Sequence, residues 1–581
     1  MASAGFLSEF PPIPTEDWES AIRSSVAGPD YPAKLIWHPE EGLAVRPYYR
    51  AEDVRDLKFP NVAPGEYPYA RGTHARGDWR IREEIDSADP KNANRSAIEA
   101  MQAGAEEIAL LGAHFENQSD VGLLLANLNE IPVRLQGLSK QSARIAAEWF
   151  RTRADVGRLS ADVDPLADPA FSSELLSAPM PALRMFTISA ENYEESGLGA
   201  IEQIAFTLSA AVQFLDSMQE RGISGSLAAR ALDFSFAIGP KFFVQIAKLR
   251  AFRLAWARVA ESFDVDAGGA RTIIYARTAH WNETVYDPHV NIVRATTEAL
   301  SAVLGGADSL SLNPFDECYE KPDRASRRLA RNVQLILKQE AHFARVADPL
   351  GGAYLVEMMT NSIAIKAWRL FQEIEAAGGY CKTRSDGVIE TVVERRSADR
   401  IASTSHRRLV LTGTNRFASP GEKAFDRIDT DCMVRDERVA RCFEEIRLRT
   451  ERVEVRAKLP KIVLAVFGDP KMRDARAQFV ADFLACAGLA AETRSVESPR
   501  DLAAVDAGLI VLCSSDSEYL PFAAELMPML IESKPILPVA IAGNPDDNEH
   551  LRNLGVAEFI HLRSDAVGVL TRLQQKLGIE D

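Results

Sequence analysis

The chain has 581 residues, a formal net charge of −16 and a sequence pI near 5.3. Because one domain usually takes ~100 to 200 residues, this length predicts several units, or one large barrel with a smaller domain. The acidic balance, with arginines scattered among carboxylates, argues against a general nucleic-acid surface and favours a small-molecule or protein partner.

Cysteine and histidine positions indicate neither a disulfide framework nor a metal centre. The six cysteines include no CxxC pair, and the nine histidines form no HExxH motif or other paired ligand spacing. The N-terminal stretch has no basic segment followed by a long apolar one, and no run reaches the ~18 apolar residues of a membrane span. We therefore expect reduced core thiols, no metal site and a cytoplasmic location.

Residues 1–55 contain prolines and aromatic residues but no long periodic run. The segments FPPIPTEDW and LIWHPEEGLAVRPYYR predict an arm that lies across another surface and does not fold alone. Aromatic residues are enriched in obligate interfaces, so the arm is expected to contact a partner subunit. The candidate anchors are Trp18, Tyr31, Trp37, Tyr48 and Tyr49.

Between residues 56 and 420, short β-like segments alternate with long amphipathic ones. EEIALL, PVRLQGL and ALRMFTI are typical of strands, whereas AIEQIAFTLSAAVQFLDSMQE and HVNIVRATTEALSAVLGG are typical of helices. This alternation predicts a parallel (β/α)8 barrel of the TIM type. Gly305-Gly306 is interpreted as a helix end, because the Lys-Ser/Thr of a phosphate loop is missing.

Residues 421–459 are heavily charged but keep an apolar helical pattern, which predicts a helical linker packed on a neighbouring surface. The apolar positions are Val439, Phe443, Ile446 and Val453.

Residues 460–581 have a different pattern, in which the apolar segments KIVLAVF, LIVLCSS, ILPVAIAG and EFIHL alternate with helical segments. Near-continuous apolar strands separated by helices predict a flavodoxin-like, doubly wound parallel α/β domain.

Long motifs in a fixed order point to a family. They read TISAENYEESGLGAIEQIAFTLSAAVQFL, DFSFAIGPKFFVQIAKLRAFRLAW, NIVRATTEALSAVLGGADSLSLNPFDE, RRLARNVQLILKQE and RVADPLGGAYLVE. Together with PGEYPYARG near the start, they closely resemble methylmalonyl-CoA mutase, from about residue 37 to the end. The resemblance implies a barrel whose axis a CoA thioester threads, and a C-terminal domain that holds base-off adenosylcobalamin through a histidine on cobalt.

The turn after KIVLAVF departs from the family's cobalamin loop, which reads Asp-x-His-x-x-Gly. Counting back from Ala487-Gly488, Lys471 stands for the aspartate, Arg473 for the histidine and Arg476 for the glycine. A guanidinium stays protonated and has no lone pair for a metal, so Arg473 cannot coordinate cobalt. Loss of the orienting carboxylate would weaken even a retained histidine.

Two further cobalamin motifs of the family are altered. Its Ser-x-Leu beside the nucleotide tail reads Ser514, Ser515 and Asp516, and its later Gly-Gly reads Ala542-Gly543. We therefore expect a degenerate cobalamin-binding domain, and no cofactor bound by this chain.

Four positions of the barrel also depart from the catalytic pattern that the resemblance implies. The arginine that pairs with the substrate carboxylate is replaced by Asp233, and the tyrosine that guides the radical by Glu84. The histidine that binds the thioester carbonyl aligns with Tyr275, and a histidine on the cobalamin side is Asn192. His280 is interpreted as a polar residue at a strand end and not as a displaced catalytic histidine.

Different functions remain open at this point. The chain is either a non-catalytic small subunit of a heterodimeric methylmalonyl-CoA mutase, or an active acyl-CoA mutase of altered specificity that uses Glu84, Asp233 or Tyr275 in new roles. A stand-alone enzyme with unrelated chemistry is a weaker third hypothesis, because no acid/base constellation supports it. Radical chemistry of this kind cannot begin without its cofactor, so the missing cobalt ligand favours the non-catalytic small subunit. That hypothesis implies a catalytic large subunit as partner, with adenosylcobalamin bound there.

Overall fold

The computed structural model describes residues 13–25, 31–152, 159–177, 184–428 and 438–580. These residues form a closed barrel of eight parallel strands and a separate parallel sheet of five strands. The architecture confirms the predicted TIM-type barrel followed by a flavodoxin-like α/β domain. Among the described residues, none of the helices has the length and apolar composition that crossing a membrane requires.

The N-terminal arm contains helices α1 (Thr15–Ser25) and α2 (Tyr31–Leu35), and α1 has no buried residue. The Trp18 ring packs 4.1 Å from the Tyr48 ring, centroid to centroid. Beyond α2 the arm lies on the chain's own barrel, since Val45 is buried in the barrel core and pairs with Trp37. Of the predicted anchors, Trp37 is 45% exposed, and the side chain of Tyr31 lies outside the described part of the structure.

The barrel runs in chain order, each strand pairing with the next and β8 closing on β1. Its strands are β1 (Arg80–Asp86), β2 (Glu107–Leu111), β3 (Val133–Gln136), β4 (Leu159–Val163), β5 (Arg184–Ser189), β6 (Leu232–Ile238), β7 (Ile274–Thr278) and β8 (Ser309–Ser311). The helices around it are α3 (Pro90–Gln102), α4 (Gln118–Leu124), α5 (Lys140–Arg151), α6 (Pro169–Ser177), α7 (Glu191–Glu195), α8 (Ala200–Glu220), α9 (Gly225–Arg230), α10 (Phe242–Ser262), α11 (Ala267–Ala270), α12 (Val290–Leu304) and α13 (Arg324–Leu335).

Helices that follow the barrel strands pack on its outer ring. They are α14 (Tyr354–Ala376), α15 (Gly379–Ser385) and α16 (Val388–Ser405). Three single turns complete this region, namely Phe59–Asn61 and Phe343–Arg345 in 3-10 form and Ile336–Glu340 in π form. Gly305 caps α12 and Gly306 follows with a φ of +79°, so this pair ends a helix as predicted.

A linker helix, α17 (Arg441–Arg456), joins the two domains. Its apolar face, with Phe443 and Ile446, is buried in the core of the C-terminal domain. Its other side meets the barrel, where the Tyr286 hydroxyl donates to Glu451 at 2.7 Å. Helix α17 is thus packed on both domains. Within the predicted linker, residues 421–428 are not helical, and residues 429–437 lie outside the described residues.

The C-terminal sheet is parallel and has the strand order β10-β9-β11-β12-β13. The chain adds β10 on one side of β9 and the later strands on the other side. Its strands are β9 (Ile462–Val466), β10 (Ala491–Ser495), β11 (Leu509–Cys513), β12 (Val539–Ala542) and β13 (Glu558–Ile560). Its helices are α18 (Pro470–Ala485), α19 (Arg500–Ala503), α20 (Asp516–Ser533), α21 (Asn548–Asn553) and α22 (Ala566–Lys576). Four of the strands match predicted apolar runs, whereas the edge strand β10 was not predicted because its sequence, AETRS, is polar and its side chains are mostly exposed.

Candidate functional site

Three side chains meet on the barrel axis: Arg134 from β3, Asp233 from β6 and Tyr275 from β7. The Arg134 Cζ atom lies 3.9 Å from the centroid of the Tyr275 ring. In a barrel of eight strands, β3 and β7 lie on opposite walls, so a contact between their side chains crosses the axis. The exposed fractions of the three residues are 1%, 0% and 3%. We call these three residues the axial plug.

Charge holds the axial plug together. The Arg134 Nη1 and Asp233 Oδ2 atoms are 3.6 Å apart, and Arg184 at the start of β5 donates to Asp233 Oδ1 at 2.6 Å. Burial raises the pKa of Asp233 above its ordinary value, and the two guanidiniums oppose that rise. Burial would lower the pKa of Arg134, but Tyr275 and nearby carboxylates raise it, so this buried arginine stays charged. The sequence singled out Asp233 and Tyr275 but missed both arginines.

Two clefts end at the barrel mouths, one on each side of the axial plug. The cleft at the amino ends of the strands has a volume of about 730 Å³ and reaches Arg184. The cleft at the carboxyl ends has a volume of about 200 Å³ and reaches Glu84 and Arg277. Neither cleft is lined by a residue of the axial plug.

Glu84 lies at the carboxyl end of the barrel, the face where enzymes of this architecture carry their chemistry. Its carboxylate pairs with Arg277 at 3.3 Å and with Arg82 at 3.3 Å. Burial acts to raise the pKa of Glu84, but the attraction of Arg277 and Arg82 outweighs it and lowers the pKa. Glu84 is therefore an ionised partner of two arginines and has no proton to exchange near neutral pH.

Of the other predicted positions on this face, His280 lies beside the group around Glu84, because its Nε2 atom is 4.0 Å from Glu317, which also pairs with Arg277. Asn192 is exposed on the short helix α7. His280 follows β7, and its Nδ1 atom lies 3.4 Å from Glu283. The backbone N–H groups of His280 and Trp281 both donate to Glu195 at 2.9 Å. His280 is thus tied into the rim of the barrel by its neighbours.

Glu195 is a residue that the sequence did not single out. Burial, with the negative charge of Glu194 beside it, raises the pKa of Glu195 to about 7, although its hydrogen bonds oppose this. The only sequence signal was the pair of adjacent glutamates at 194 and 195, which is too common to indicate a function.

In the C-terminal domain, the turn after β9 is the first turn of helix α18. Asp469 caps this helix, since its Oδ1 atom accepts from the Met472 N–H at 2.9 Å. Lys471 is exposed, and the Arg473 Nε atom lies 3.5 Å from Asp474. Lys471 is therefore exposed on a capped helix, and Arg473 has one local carboxylate beside it.

The crevice at the carboxyl ends of β9 and β11 is occupied by Glu518. Its carboxylate accepts from the Ser515 N–H at 3.1 Å, from the Asp469 N–H at 3.3 Å and from the Ser514 hydroxyl. Hydrogen bonds from Ser514 and Ser515 lower the pKa of Glu518 to about 2. A Cβ atom at Gly468 would lie 2.2 Å from this carboxylate, so the glycine permits the close approach.

Arg476 fills the neighbouring position, at the end of β12. It donates to the Ala542 carbonyl at 2.9 Å and to the Tyr519 hydroxyl at 3.0 Å, and it pairs with Asp516 at 2.8 Å. Gly543 has a φ of +139°, and a Cβ atom there would lie 2.7 Å from Arg476. Five predicted positions thus meet around this guanidinium and the Glu518 carboxylate: Arg476, Ser514, Asp516, Ala542 and Gly543.

Comparisons with known proteins show which family this chain resembles. A family model described as methylmalonyl-CoA mutase matches residues 38–117 and 169–488. The chain is 32% identical to the methylmalonyl-CoA mutase small subunit of Porphyromonas gingivalis, over 99% of this chain and 98% of that protein. It is 31% identical to the small subunit of Streptomyces virginiae, over 98% of each chain. The methylmalonyl-CoA mutase of Rhizobium meliloti is 29% identical, over 76% of this chain and 69% of that protein.

Proposed function

The chain belongs to the methylmalonyl-CoA mutase family, as its motifs indicated, and from that membership we propose that it is a non-catalytic small subunit. Its role is to support the assembly and stability of a catalytic large subunit in the cytoplasm. That complex interconverts (R)-methylmalonyl-CoA and succinyl-CoA. The observation that carries the proposal is the axial plug, which stands where the family's substrate must pass.

The axial plug is incompatible with a CoA thioester threaded through the barrel. The guanidinium of Arg134 and the ring of Tyr275 are in contact across the axis, which leaves no space between them for a pantetheine chain. Asp233 adds a buried negative charge, and the substrate also carries a carboxylate. Repulsion between like charges in a buried site is strong, because solvent does not screen it. This argues against an active mutase of altered specificity.

The residues of the C-terminal domain do not fit cobalamin. The position of the lower ligand is Arg473, which has no lone pair to donate. The crevice that would accept the nucleotide tail is filled by Glu518 and Arg476, whose hydrogen bonds are satisfied by the chain itself. We therefore place no step of the reaction in this chain, and we assign adenosylcobalamin to the large subunit.

The partner contact is assigned to the first part of the arm. Helix α1 buries none of its residues, and its Trp18 side chain is 40% exposed. Large aromatic side chains are characteristic anchors of subunit interfaces. In this proposal α1 packs on the large subunit, while the barrel from Trp37 onward supports the arm. One active site per heterodimer then follows, located in the large subunit.

Co-expression with the large subunit from the same organism tests the proposal. We expect a 1:1 complex on size-exclusion chromatography, turnover of methylmalonyl-CoA by the complex, and no turnover by the isolated chain. Tyr275→Phe and Glu195→Gln, made in this chain only, should leave the turnover number of the complex unchanged. The proposal is wrong if no complex forms, if the isolated chain is active, or if these variants abolish turnover, which would favour an active mutase.

A further inference from the structure

A separate cleft lies between the loop that follows α16 and the C-terminal domain. Its volume is about 340 Å³, within the ~300 to 1,000 Å³ that is usual for small-molecule sites. The side chains that shape it are Arg407, Arg416, Phe417, Phe479, His561 and Leu562. None of the residues around Glu518 and Arg476 that fill the degenerate cobalamin crevice lines this cleft.

The apolar part of the cleft is held open to solvent. Phe417 is 67% exposed and Leu562 is 83% exposed. Phe417 has a φ of +57°, a left-handed conformation that is strained for an aromatic residue. Its N–H group donates to Asp482 Oδ1 at 2.7 Å, which anchors the backbone at this residue. Folding gains little from an exposed ring, so a strained backbone that presents one to solvent suits an external binding partner.

Two arginines give the cleft a positive charge. The Arg416 Cζ atom lies 5.0 Å from the centroid of the Phe417 ring, and among the described residues no carboxylate pairs with Arg416. Arg407 pairs with Asp482 and donates to the Asn415 carbonyl at 2.8 Å, but its Nη1 atom has no hydrogen-bond partner in the described part of the chain. With one carboxylate set against two guanidiniums, the lining keeps a net positive charge.

His561 adds a neutral donor. Its Nδ1 atom accepts a hydrogen bond from the Arg563 N–H at 3.1 Å, which assigns the ring proton to Nε2. Burial, together with the positive charge of Arg563, lowers the pKa of His561 below its ordinary value, so the ring is neutral at pH 7. A neutral imidazole N–H can donate to an anion without adding a charge.

We propose that this cleft binds a flat aromatic anion. The rings of Phe417 and Phe479 offer faces on which a planar group can stack, and Arg416 offers a cation that pairs with no carboxylate among the described residues. An aromatic cation would be repelled by the two guanidiniums, and a neutral apolar ligand would cover Arg416 without pairing it. This inference is independent of the role assigned to the barrel.

Fluorescence titration of the full chain with 1-anilinonaphthalene-8-sulfonate tests the proposal. The neutral analogue N-phenyl-1-naphthylamine serves as the matched probe without the sulfonate. We expect saturable binding of the sulfonate at one site. Arg416→Ala should weaken sulfonate binding about tenfold and change binding of the neutral probe less than about twofold, because only the sulfonate loses a charge-assisted contact. Phe417→Ala should weaken binding of both probes.

Arg408→Ala is the matched control, since Arg408 is exposed on the same loop and does not line the cleft. It should bind the sulfonate as the unmodified chain does. Non-saturable binding, or equal effects of Arg416→Ala and Arg408→Ala, would overturn the proposal. So would a Phe417→Ala variant that binds both probes with unchanged affinity.

Discussion

Replacing Asp233 with asparagine tests the axial plug most directly. The change removes the buried carboxylate that faces both Arg134 and Arg184, while the amide keeps the shape of the side chain and one carbonyl oxygen for Arg184. The substitution therefore removes charge and leaves packing nearly intact. We expect the barrel to be strongly destabilised, because two guanidiniums then lack their common partner.

The magnitude follows from the distances. The Arg184 Nη1 atom lies 2.6 Å from Asp233 Oδ1, and the Arg134 Nη1 atom lies 3.6 Å from Asp233 Oδ2. Two unit charges ~4 Å apart interact by ~4 kcal/mol at an effective dielectric constant of ~20. Removing one partner of a buried ion pair usually costs ~3 to 5 kcal/mol. We therefore expect Asp233→Asn to lower the free energy of unfolding by ~3 to 5 kcal/mol.

Urea unfolding followed by circular dichroism measures this loss. Asp162→Asn is the control, because Asp162 faces the same Arg134 at 3.7 Å but its side chain is 26% exposed, so its loss should cost under ~1 kcal/mol. Asp233→Arg should be still less stable than Asp233→Asn, since it places three guanidiniums together, and it should not restore activity. If Asp233→Asn is as stable as Asp162→Asn, the charged axial plug does not hold the barrel together.

Three further predictions concern the cofactor, the pH dependence and the arm. The isolated chain, and its Arg473→His variant, should leave the absorption spectrum of added adenosylcobalamin unchanged, because Glu518 and Arg476 still fill the crevice; a shift to the histidine-bound spectrum would contradict this. Because the pKa of Glu195 is raised from 4.5 to about 7, the folded chain holds this proton more tightly than the unfolded chain does. The stabilisation is complete below pH ~4.5 and is lost as pH rises through ~7. Relative to Glu195→Gln, the free energy of unfolding of the unmodified chain should therefore fall by up to ~3 kcal/mol over that range. Parallel pH profiles of the two proteins would refute this. Deleting residues 1–36 should weaken the complex with the large subunit and lower the thermal midpoint of the isolated chain only slightly, since α1 has no buried residue. A full-strength complex would show that α1 is not the contact.

Elements with a strong apolar pattern were predictable from the sequence. The run AIEQIAFTLSAAVQFLDSMQE is helix α8 to the residue, and KIVLAVF contains strand β9, because burial of a long apolar segment determines its structure locally. Strand β10 has no such pattern. It exists because the exposed edge of β9 offers backbone donors and acceptors, and that is a property of the neighbouring strand.

In the N-terminal arm, too, the sequence predicted part of the structure and tertiary contacts decided the rest. Its lack of periodic apolar residues predicts a segment without a core of its own, but it could not show which surface the segment covers. Lys241 pairs with Glu40 at 2.7 Å, and Lys366 donates to the Gly42 carbonyl at 2.7 Å. These contacts join positions far apart in the chain, and they place residues 37–45 on the chain's own barrel.

The sequence by itself determined the chemistry available at each position. Arg473 has no lone pair at any pH of interest, whatever surrounds it, so its inability to bind a metal is a property of the residue type. Only the tertiary structure decided which remote residues meet. Arg134 and Tyr275 close the axis because strand register aims them at one another across the barrel, and Glu195 has a pKa near 7 because burial and a neighbouring carboxylate surround it. Distances between residues remote in sequence depend on the packing of the whole barrel, and no local pattern encodes them.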